Sequence, residues 1–159
     1  MILPNEFAGK VQDINLEALR AKGIKLLIFD IDNTLIPRLA PEPDGDVLRW
    51  LEGVKQQGFL VCLMTNNNGK RIPQFNLSDN EFHIHHAMKP LKIKFKRILR
   101  HFDVNAEEVC MIGDQVFTDV LGANRMKIYS ILVDRLQQYG GPVRRLMHEV
   151  EDGLRRKYR

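Results

Sequence analysis

Two aspartates one residue apart follow an apolar run in the first quarter of the chain. Asp30 and Asp32 come directly after Leu26–Phe29, and a run without polar alternation is typical of a strand buried on both faces. Ligands usually bind where the strands of a parallel sheet end, so two carboxylates at this point could share a hard cation. Mg²⁺ suits such a site because it prefers oxygen ligands and accepts phosphate oxygens into its shell. The alternative is a simple turn in which Asp32 and Asn33 cap a helix.

Three more polar groups follow apolar runs or precede helices further along the chain. Thr65, with the backbone amides that follow it from Asn66 onward, can hold phosphate oxygens. Lys89 offers a compact positive charge for the same group. Asp114 and Asp119 add anionic oxygen. Because crowded carboxylates repel one another, a divalent cation is the expected means of keeping them ionised.

This set of side chains is suited to phosphoryl transfer, which needs a nucleophile, a cation and a group that moves protons. Asp30 can attack phosphorus directly, as carboxylates do in enzymes that form aspartyl-phosphates. Asp32 can protonate the leaving alcohol and later activate the water that hydrolyses the intermediate.

Strands and helices are predicted to alternate along most of the chain, which indicates an α/β fold with a parallel sheet covered by helices on both faces. Apolar runs predict strands over residues 26–29, 59–64, 109–112 and 129–133, with a short one within 82–87. Helical spacing predicts a helix ending at 22–23, and others over 47–57, 93–102, 117–124 and from Pro142 onward. The polar groups described above would then meet at one edge of the sheet.

Four segments together resemble the ordered motifs of the haloacid dehalogenase (HAD) superfamily. They are residues 30–34, 65–66, 89–90 and 113–119, and the resemblance covers roughly residues 24 to 133. It implies a three-layer, Rossmann-like α/β fold and a phosphatase, since an acidic residue at position 32 fits that branch of the superfamily. The intervals after residues 35 and 66 are too short for a large inserted cap domain, which implies an open active site.

The resemblance also implies a role for each site residue. Asp30 is the nucleophile and a Mg²⁺ ligand, and Asp32 is the acid/base that also offers a backbone carbonyl to the metal. Asp114 is a further Mg²⁺ ligand, and Asp119 supports the metal site. The phosphate-binding residues are Thr65, Asn66 and Lys89.

A finer resemblance is to the bacterial YqeG-like family, which is related to the phosphatidylglycerophosphate phosphatases of mitochondria and chloroplasts. It is carried by residues 65–71, 23–25 and Pro4. The implied substrate is a phosphate monoester, with phosphatidylglycerophosphate preferred, and the implied protein makes peripheral contact with a membrane. Lys70 and Arg71 are candidate head-group contacts.

Composition is ordinary for a soluble globular protein, with 159 residues, 44% hydrophobic and 28% charged residues and a net charge of +4. We expect one domain over residues 1–159, with the motifs in a core at about 24–133 and a basic helix at about 142–157. No run predicts a membrane span or a signal peptide, which favours a cytoplasmic protein. Such a protein could also bind peripherally to the inner face of the membrane. Cys62 and Cys110 are expected to be packed free thiols.

The last segment combines an apolar stripe with basic side chains. The predicted stripe consists of Val143, Leu146, Met147, Val150 and Leu154. The basic residues are Arg144, Arg145, Arg155, Arg156, Lys157 and Arg159. They could approach phosphorylated lipids or RNA, or form a solvated face that suits the helix dipole.

Several other functions remain open at this stage. A phosphatase could act on soluble sugar phosphates or nucleotides instead of a lipid. A basic helix over 92–100 could dock on RNA or the ribosome, although no aromatic stacking pattern accompanies it and nucleic acid is not the expected partner. A phospho-acceptor receiver module is disfavoured because Lys89 precedes Asp114. His83, His85 and His86 could bind a transition metal, or simply form a polar strand face.

Overall fold

A six-stranded sheet, in which every pair of neighbouring strands is parallel, forms the centre of the molecule. The structure is a computed structural model and describes residues 2–78, 81–138 and 140–158. The strands are Glu6–Ala8 (β1), Leu26–Phe29 (β2), Leu60–Met64 (β3), Phe82–Ile84 (β4), Val109–Gly113 (β5) and Tyr129–Val133 (β6). Their spatial order is β1–β6–β5–β2–β3–β4. The predicted α/β fold with a parallel sheet is confirmed.

Helices cover both faces of this sheet, as expected. They are Leu16–Ala21 (α1), Gly45–Gln56 (α2), Lys92–Phe102 (α3), Leu121–Met126 (α4) and Pro142–Tyr158 (α5). Alternate residues of β2 enter two separate hydrophobic clusters, because successive side chains of a strand point to opposite faces. Leu27 shares a cluster with Val54 of α2, whereas Ile28 shares the other with Phe95 of α3. This double burial explains why β2 has no polar residue.

The order of the strands creates a topological switch point between β2 and β5. From β2 the chain moves outward through β3 to β4, and then returns to the other side of β2 to form β5 and β6. Connections leave β2 and β5 in opposite directions, so a crevice opens at the carboxyl ends of these two strands. The segments that begin at Asp30 and Asp114 both start at this crevice.

Three local predictions were incomplete. The short edge strand β1 was missed, because three residues are too few to show a strand period. The first helix is only Leu16–Ala21, and Val11–Asp13 forms a separate 3₁₀ turn before it. The helix predicted over 117–124 starts as a π-helical turn, Val116–Val120, before α4. Such turns are frequent at functional sites.

The segment between β3 and α3 holds a 3₁₀ turn, Ile72–Phe75, and the edge strand β4. Ile84 of β4 is buried, whereas His83 and His85 on either side of it are exposed, so they form the polar face predicted as the simpler alternative. Among the residues that the structure describes, no histidine joins a cluster of metal-binding groups. Cys62 and Cys110 are buried free thiols, as predicted.

No large cap lies over the carboxyl edge of the sheet in the described parts of the chain. The segment between β2 and α2 is a loop with three prolines, and the segment after β3 returns to the sheet as β4. Within the same parts of the chain, no helix has both the length and the apolar character that crossing a bilayer requires.

Candidate active site

The register of the central strands brings the predicted motifs together at one edge. Phe29, the last residue of β2, pairs with Ile112 of β5, and the amide of Asp30 donates to the Ile112 carbonyl at 2.9 Å. Asp30 and Asp114 therefore leave the sheet side by side. The hydroxyl of Thr34 lies between them, 3.2 Å from Asp30 Oδ2 and 3.3 Å from Asp114 Oδ1.

A buried cluster of three carboxylates forms the centre of the site. Asp30, Asp114 and Asp119 each offer an oxygen atom, and these oxygens all lie within 4.8 Å of one another. The Nζ of Lys89 donates to Asp30 Oδ1 at 2.6 Å, to Asp119 Oδ1 at 2.7 Å and to the Met64 carbonyl at 3.1 Å. One cation thus bridges two of the three carboxylates.

The charges in this cluster are perturbed by burial and by one another. Burial raises the pKa of Asp30 to about 7; the Lys89 charge opposes this rise, and the Asp119 carboxylate adds to it. The pKa of Asp114 is raised well above its usual range by burial and then by Asp30 and Asp119. For Lys89, burial favours the neutral amine, but Asp119 and Asp30 outweigh it and raise the pKa of the ammonium. The single positive charge of Lys89 is therefore not enough to compensate the three carboxylates.

The cluster has the properties of a site for a hard divalent cation. Asp114 Oδ2 is buried and has no hydrogen-bond partner among the described residues, which is costly for a carboxylate oxygen. Oxygen ligands in close proximity with an excess of negative charge suit Mg²⁺. The three carboxylates could thus hold a metal ion, with Asp114 Oδ2, which accepts no hydrogen bond from the described residues, as one of its ligands.

Asp119 reaches the cluster because Gly113 has no side chain. A Cβ atom at position 113 would lie 2.2 Å from Asp119 Oδ2, far inside van der Waals contact. That oxygen also accepts from the Gln115 amide at 3.1 Å, and the π-helical turn that contains Asp119 follows directly. Glycine at the end of β5 is thus required for this carboxylate to approach the strand.

Asp32 lies at the same edge, but its carboxylate has partners other than the central three carboxylates. It is not part of the carboxylate cluster. Its Oδ1 accepts from Arg71 Nη1 at 2.9 Å, and its Oδ2 accepts from Asn67 Nδ2 and from the Thr65 hydroxyl at 3.4 Å. Arg71 also donates to the carbonyls of Pro37 and Ala40. These contacts fix the side chain of Asp32 at the mouth of the site.

The three residues predicted to bind phosphate also lie at this edge. Thr65 follows β3, and its hydroxyl accepts from the Asn67 amide at 3.1 Å. The side chain of Asn66 holds the backbone of Lys89 from both sides, accepting from the Lys89 amide at 2.8 Å and donating to its carbonyl at 3.2 Å. Asn66 therefore positions Lys89.

An open cavity of about 190 Å³ lies above these groups. Its lining includes the predicted site residues Asp30, Asp32, Thr65, Asn66 and Lys89. It is also lined by Arg38 and by residues of α5 that the sequence did not single out for the site. The latter are Arg144, Met147, His148 and Glu151.

Sequence reasoning missed two sets of contacts at the site. Arg71, a candidate head-group contact, is half-buried and forms an ion pair with Asp32 that the sequence did not predict. In α5, Glu151 Oε1 accepts from the Val116 amide at 2.9 Å, and Arg155 Nη2 donates to the Asp114 carbonyl at 2.6 Å. The sequence signal for this role was a Glu and an Arg four residues apart, beside the apolar stripe of the predicted helix.

Comparison with known proteins identifies relatives of this chain. A family model described as HAD-hydrolase-like matches residues 86–136. The chain is 34% identical to a probable phosphatase, YqeG of Bacillus subtilis (strain 168), over 94% of this chain and 87% of that protein. It is 25% identical to phosphatidylglycerophosphate phosphatase 1, chloroplastic/mitochondrial, of Arabidopsis thaliana, over 89% of this chain but only 43% of that protein.

The fold also occurs in solved structures. An uncharacterized protein from Listeria monocytogenes serotype 4b superposes with a TM-score of 0.60 at 23% identity, over 75% of this chain and 85% of that one. This likeness supports the shared fold, and the similarity to YqeG over most of both chains supports the family. The chain belongs to the HAD superfamily and, within it, to the family of phosphatases that contains YqeG.

Proposed function

We propose that this phosphatase is a Mg²⁺-dependent enzyme that hydrolyses phosphatidylglycerophosphate through an aspartyl-phosphate on Asp30. The observation that carries the chemistry is the buried cluster of Asp30, Asp114 and Asp119 around Lys89, with Asp114 Oδ2 free of any hydrogen bond from the described residues. The similarity to phosphatidylglycerophosphate phosphatase 1 supports the choice of substrate.

Asp30, Asp114 and Asp119 are the residues that would hold the metal, with the backbone carbonyl of Asp32 as a further ligand. When bound, Mg²⁺ would neutralise the crowded carboxylates and the phosphate oxygens. Lys89 is positioned to share this task, because its ammonium already contacts Asp30 at 2.6 Å. Thr65 and the backbone amide of Asn66 would bind the remaining phosphate oxygens.

The reaction proceeds in two displacements. In the first, a carboxylate oxygen of Asp30 attacks phosphorus, the bond from phosphorus to the ester oxygen breaks, and Asp32 gives its proton to the leaving alcohol. In the second, water attacks phosphorus, the bond from phosphorus to the Asp30 oxygen breaks, and Asp32 takes a proton from the water. Inorganic phosphate is released, Asp30 is again a carboxylate, and Asp32 is again protonated. Arg71 and Asn67 orient Asp32 for both steps.

The test is phosphate release from phosphatidylglycerophosphate in mixed micelles, with Mg²⁺ or with EDTA, beside a panel of soluble phosphate esters. We expect Mg²⁺-dependent release that favours the lipid, and a loss of about 10⁴-fold or more in kcat for Asp30→Asn. Asp46→Asn is the matched control, because Asp46 lies exposed at the start of α2, and it should keep full activity.

The outcomes separate the parts of this proposal. Release from soluble sugar phosphates or nucleotides alone would leave the chemistry intact and contradict the lipid substrate. Equal activity of wild type and Asp30→Asn would contradict the role of Asp30. Absence of release from every ester, together with salt-sensitive RNA binding, would contradict the enzymatic proposal and favour a binding module.

A further inference from the structure

The apolar stripe predicted on the C-terminal helix is exposed along most of its length. Val143 is 76% exposed, Leu146 61%, Val150 47% and Met147 39%. These four positions follow the spacing i, i+3, i+4 and i+7, so they form one continuous face of α5. An amphipathic helix of a globular domain normally packs such a face against the core, and here it is open on the surface.

A second, polar face of α5 packs on the domain instead. His148, Glu151 and Arg155 are buried, although they are titratable. Arg155 donates to the carbonyls of Asp114 and Val133, both at 2.6 Å, and Glu151 is held by Arg135 at 2.9 Å. Arg155 and Glu151, which accepts from the Val116 amide, thus satisfy backbone groups at the carboxyl edge of the sheet. Only Leu154 from the predicted stripe packs against a buried cluster.

The exposed stripe reaches the mouth of the active site. Met147 belongs to the stripe and also lines the cavity that contains Asp30 and Lys89, as does its neighbour Arg144. Leu39, which is exposed, directly follows the cavity-lining Arg38 in the chain. A surface that covers the stripe would therefore face the opening through which substrate enters.

The charges on α5 decide what kind of surface fits this stripe. Its exposed side chains include four cations and one carboxylate, namely Arg144, Arg145, Arg156 and Lys157 against Glu149. A second copy of the chain would bring an equal set of cations toward these ones. An anionic bilayer attracts the cations and accepts apolar side chains below its head groups. A nucleic acid would match the cations but not the apolar stripe.

We propose that the exposed face of α5 docks on an anionic lipid bilayer and turns the active-site cavity toward the membrane. Val143, Leu146, Met147 and Val150 enter the interface, and the flanking arginines and Lys157 contact lipid phosphates. This inference rests on the proposed function, because a lipid substrate is the reason for the cavity to face a bilayer. Its test measures binding without hydrolysis, so the two can fail separately.

The experiment is co-sedimentation of the full chain with vesicles of phosphatidylcholine alone or with added phosphatidylglycerol. We expect binding to the anionic vesicles that weakens as salt is raised. The double variant Leu146→Gln/Val150→Gln should reduce this binding at least tenfold. This is about the smallest loss of affinity expected when two apolar side chains no longer enter the interface. Both positions lie outside the cavity lining, so hydrolysis of a soluble ester should not change.

A matched control distinguishes the stripe from exposed apolar surface in general. Ile93 on α3 is 62% exposed, close to the value for Leu146, and Ile93→Gln should bind vesicles as wild type does. Arg145→Gln and Arg156→Gln should each weaken binding to anionic vesicles by about fivefold, while binding to phosphatidylcholine stays the same.

Two outcomes would overturn the inference. One is wild-type protein that does not sediment with anionic vesicles, or that does so equally well in the double variant. The other is a dimer in light scattering that the double variant converts to a monomer, which would assign the stripe to a second copy. Vesicle binding by the stripe without release of phosphate from phosphatidylglycerophosphate would support the docking surface and contradict the proposed substrate.

Discussion

Lys89 lies among three oxygen acceptors, the carboxylates of Asp30 and Asp119 and the carbonyl of Met64. Its ammonium is buried, and removing one partner of a buried ion pair leaves the other charges uncompensated. Lys89 thus has a structural role in the resting site as well as its proposed contact with the transferred phosphoryl group.

This dual role gives a prediction for Lys89→Met. Without the ammonium, the free energy of unfolding in EDTA should fall by about 3–5 kcal/mol, and saturating Mg²⁺ should restore part of it by compensating the same carboxylates. Chemical denaturation with and without Mg²⁺ measures both effects. Lys96→Met, at an exposed position of α3, should change the free energy of unfolding by no more than about 0.5 kcal/mol. Equal effects of the two variants would contradict the role of Lys89.

At the scale of elements, α5 acts as a brace for the segment that follows β5. Arg155 donates to the Asp114 carbonyl, and Glu151 accepts from the Val116 amide, so the helix holds both ends of the turn that carries Asp114. These contacts join residues that are 41 and 35 positions apart in the chain. The position of the proposed metal ligand therefore depends on a helix outside the four motifs.

We expect Arg155→Met to lower the free energy of unfolding by about 3 kcal/mol, because it leaves the Asp114 carbonyl without its donor and Glu151 with less compensating charge. The concentration of Mg²⁺ needed for half-maximal activity should rise as well, since the turn that carries Asp114 loses its support. Arg156→Met is the matched control, because the side chain of Arg156 is exposed and its removal should change the free energy of unfolding little. A Mg²⁺ requirement that is the same in Arg155→Met and wild type would show that the brace does not act on the metal site.

For the whole molecule, the balance of charge at the sheet edge predicts that metal binding stabilises the fold. Any ligand that binds only the native state adds to its free energy of unfolding, by about 2.7 kcal/mol at a hundredfold excess over Kd. For a chain of this length, that corresponds to a rise in Tm of roughly 5–10 °C. Thermal unfolding in Mg²⁺ and in EDTA measures the difference.

The matched variants for this measurement are Asp114→Asn and Asp46→Asn. The first removes the negative charge from a side chain of the carboxylate cluster, so its Tm should hardly respond to Mg²⁺. The second lies on the surface of α2 and should respond as wild type does. A response of the same size in both variants would locate the stabilising metal elsewhere on the molecule.

The sequence by itself determined the order of the central elements and the identity of the motif residues. Apolar runs of β2, β3 and β5 are recognisable because strands covered on both faces leave no room for polar residues. Polar residues at the ends of these runs then predict the edge of the sheet at which ligands bind, and the short intervals between motifs predict the absence of a large cap. These features are local, so they can be read without knowing which strands are neighbours.

Only the tertiary structure decided how those residues are combined. The return of the chain to the other side of β2 brings Asp30 and Asp114 together, and the side chain of Asp32 turns to Arg71 instead of joining them. Periodicity defines the faces of α5 but does not determine which face is buried. Here the polar face packs inward because Glu151 and Arg155 meet backbone groups contributed by distant segments, and the apolar stripe is left exposed.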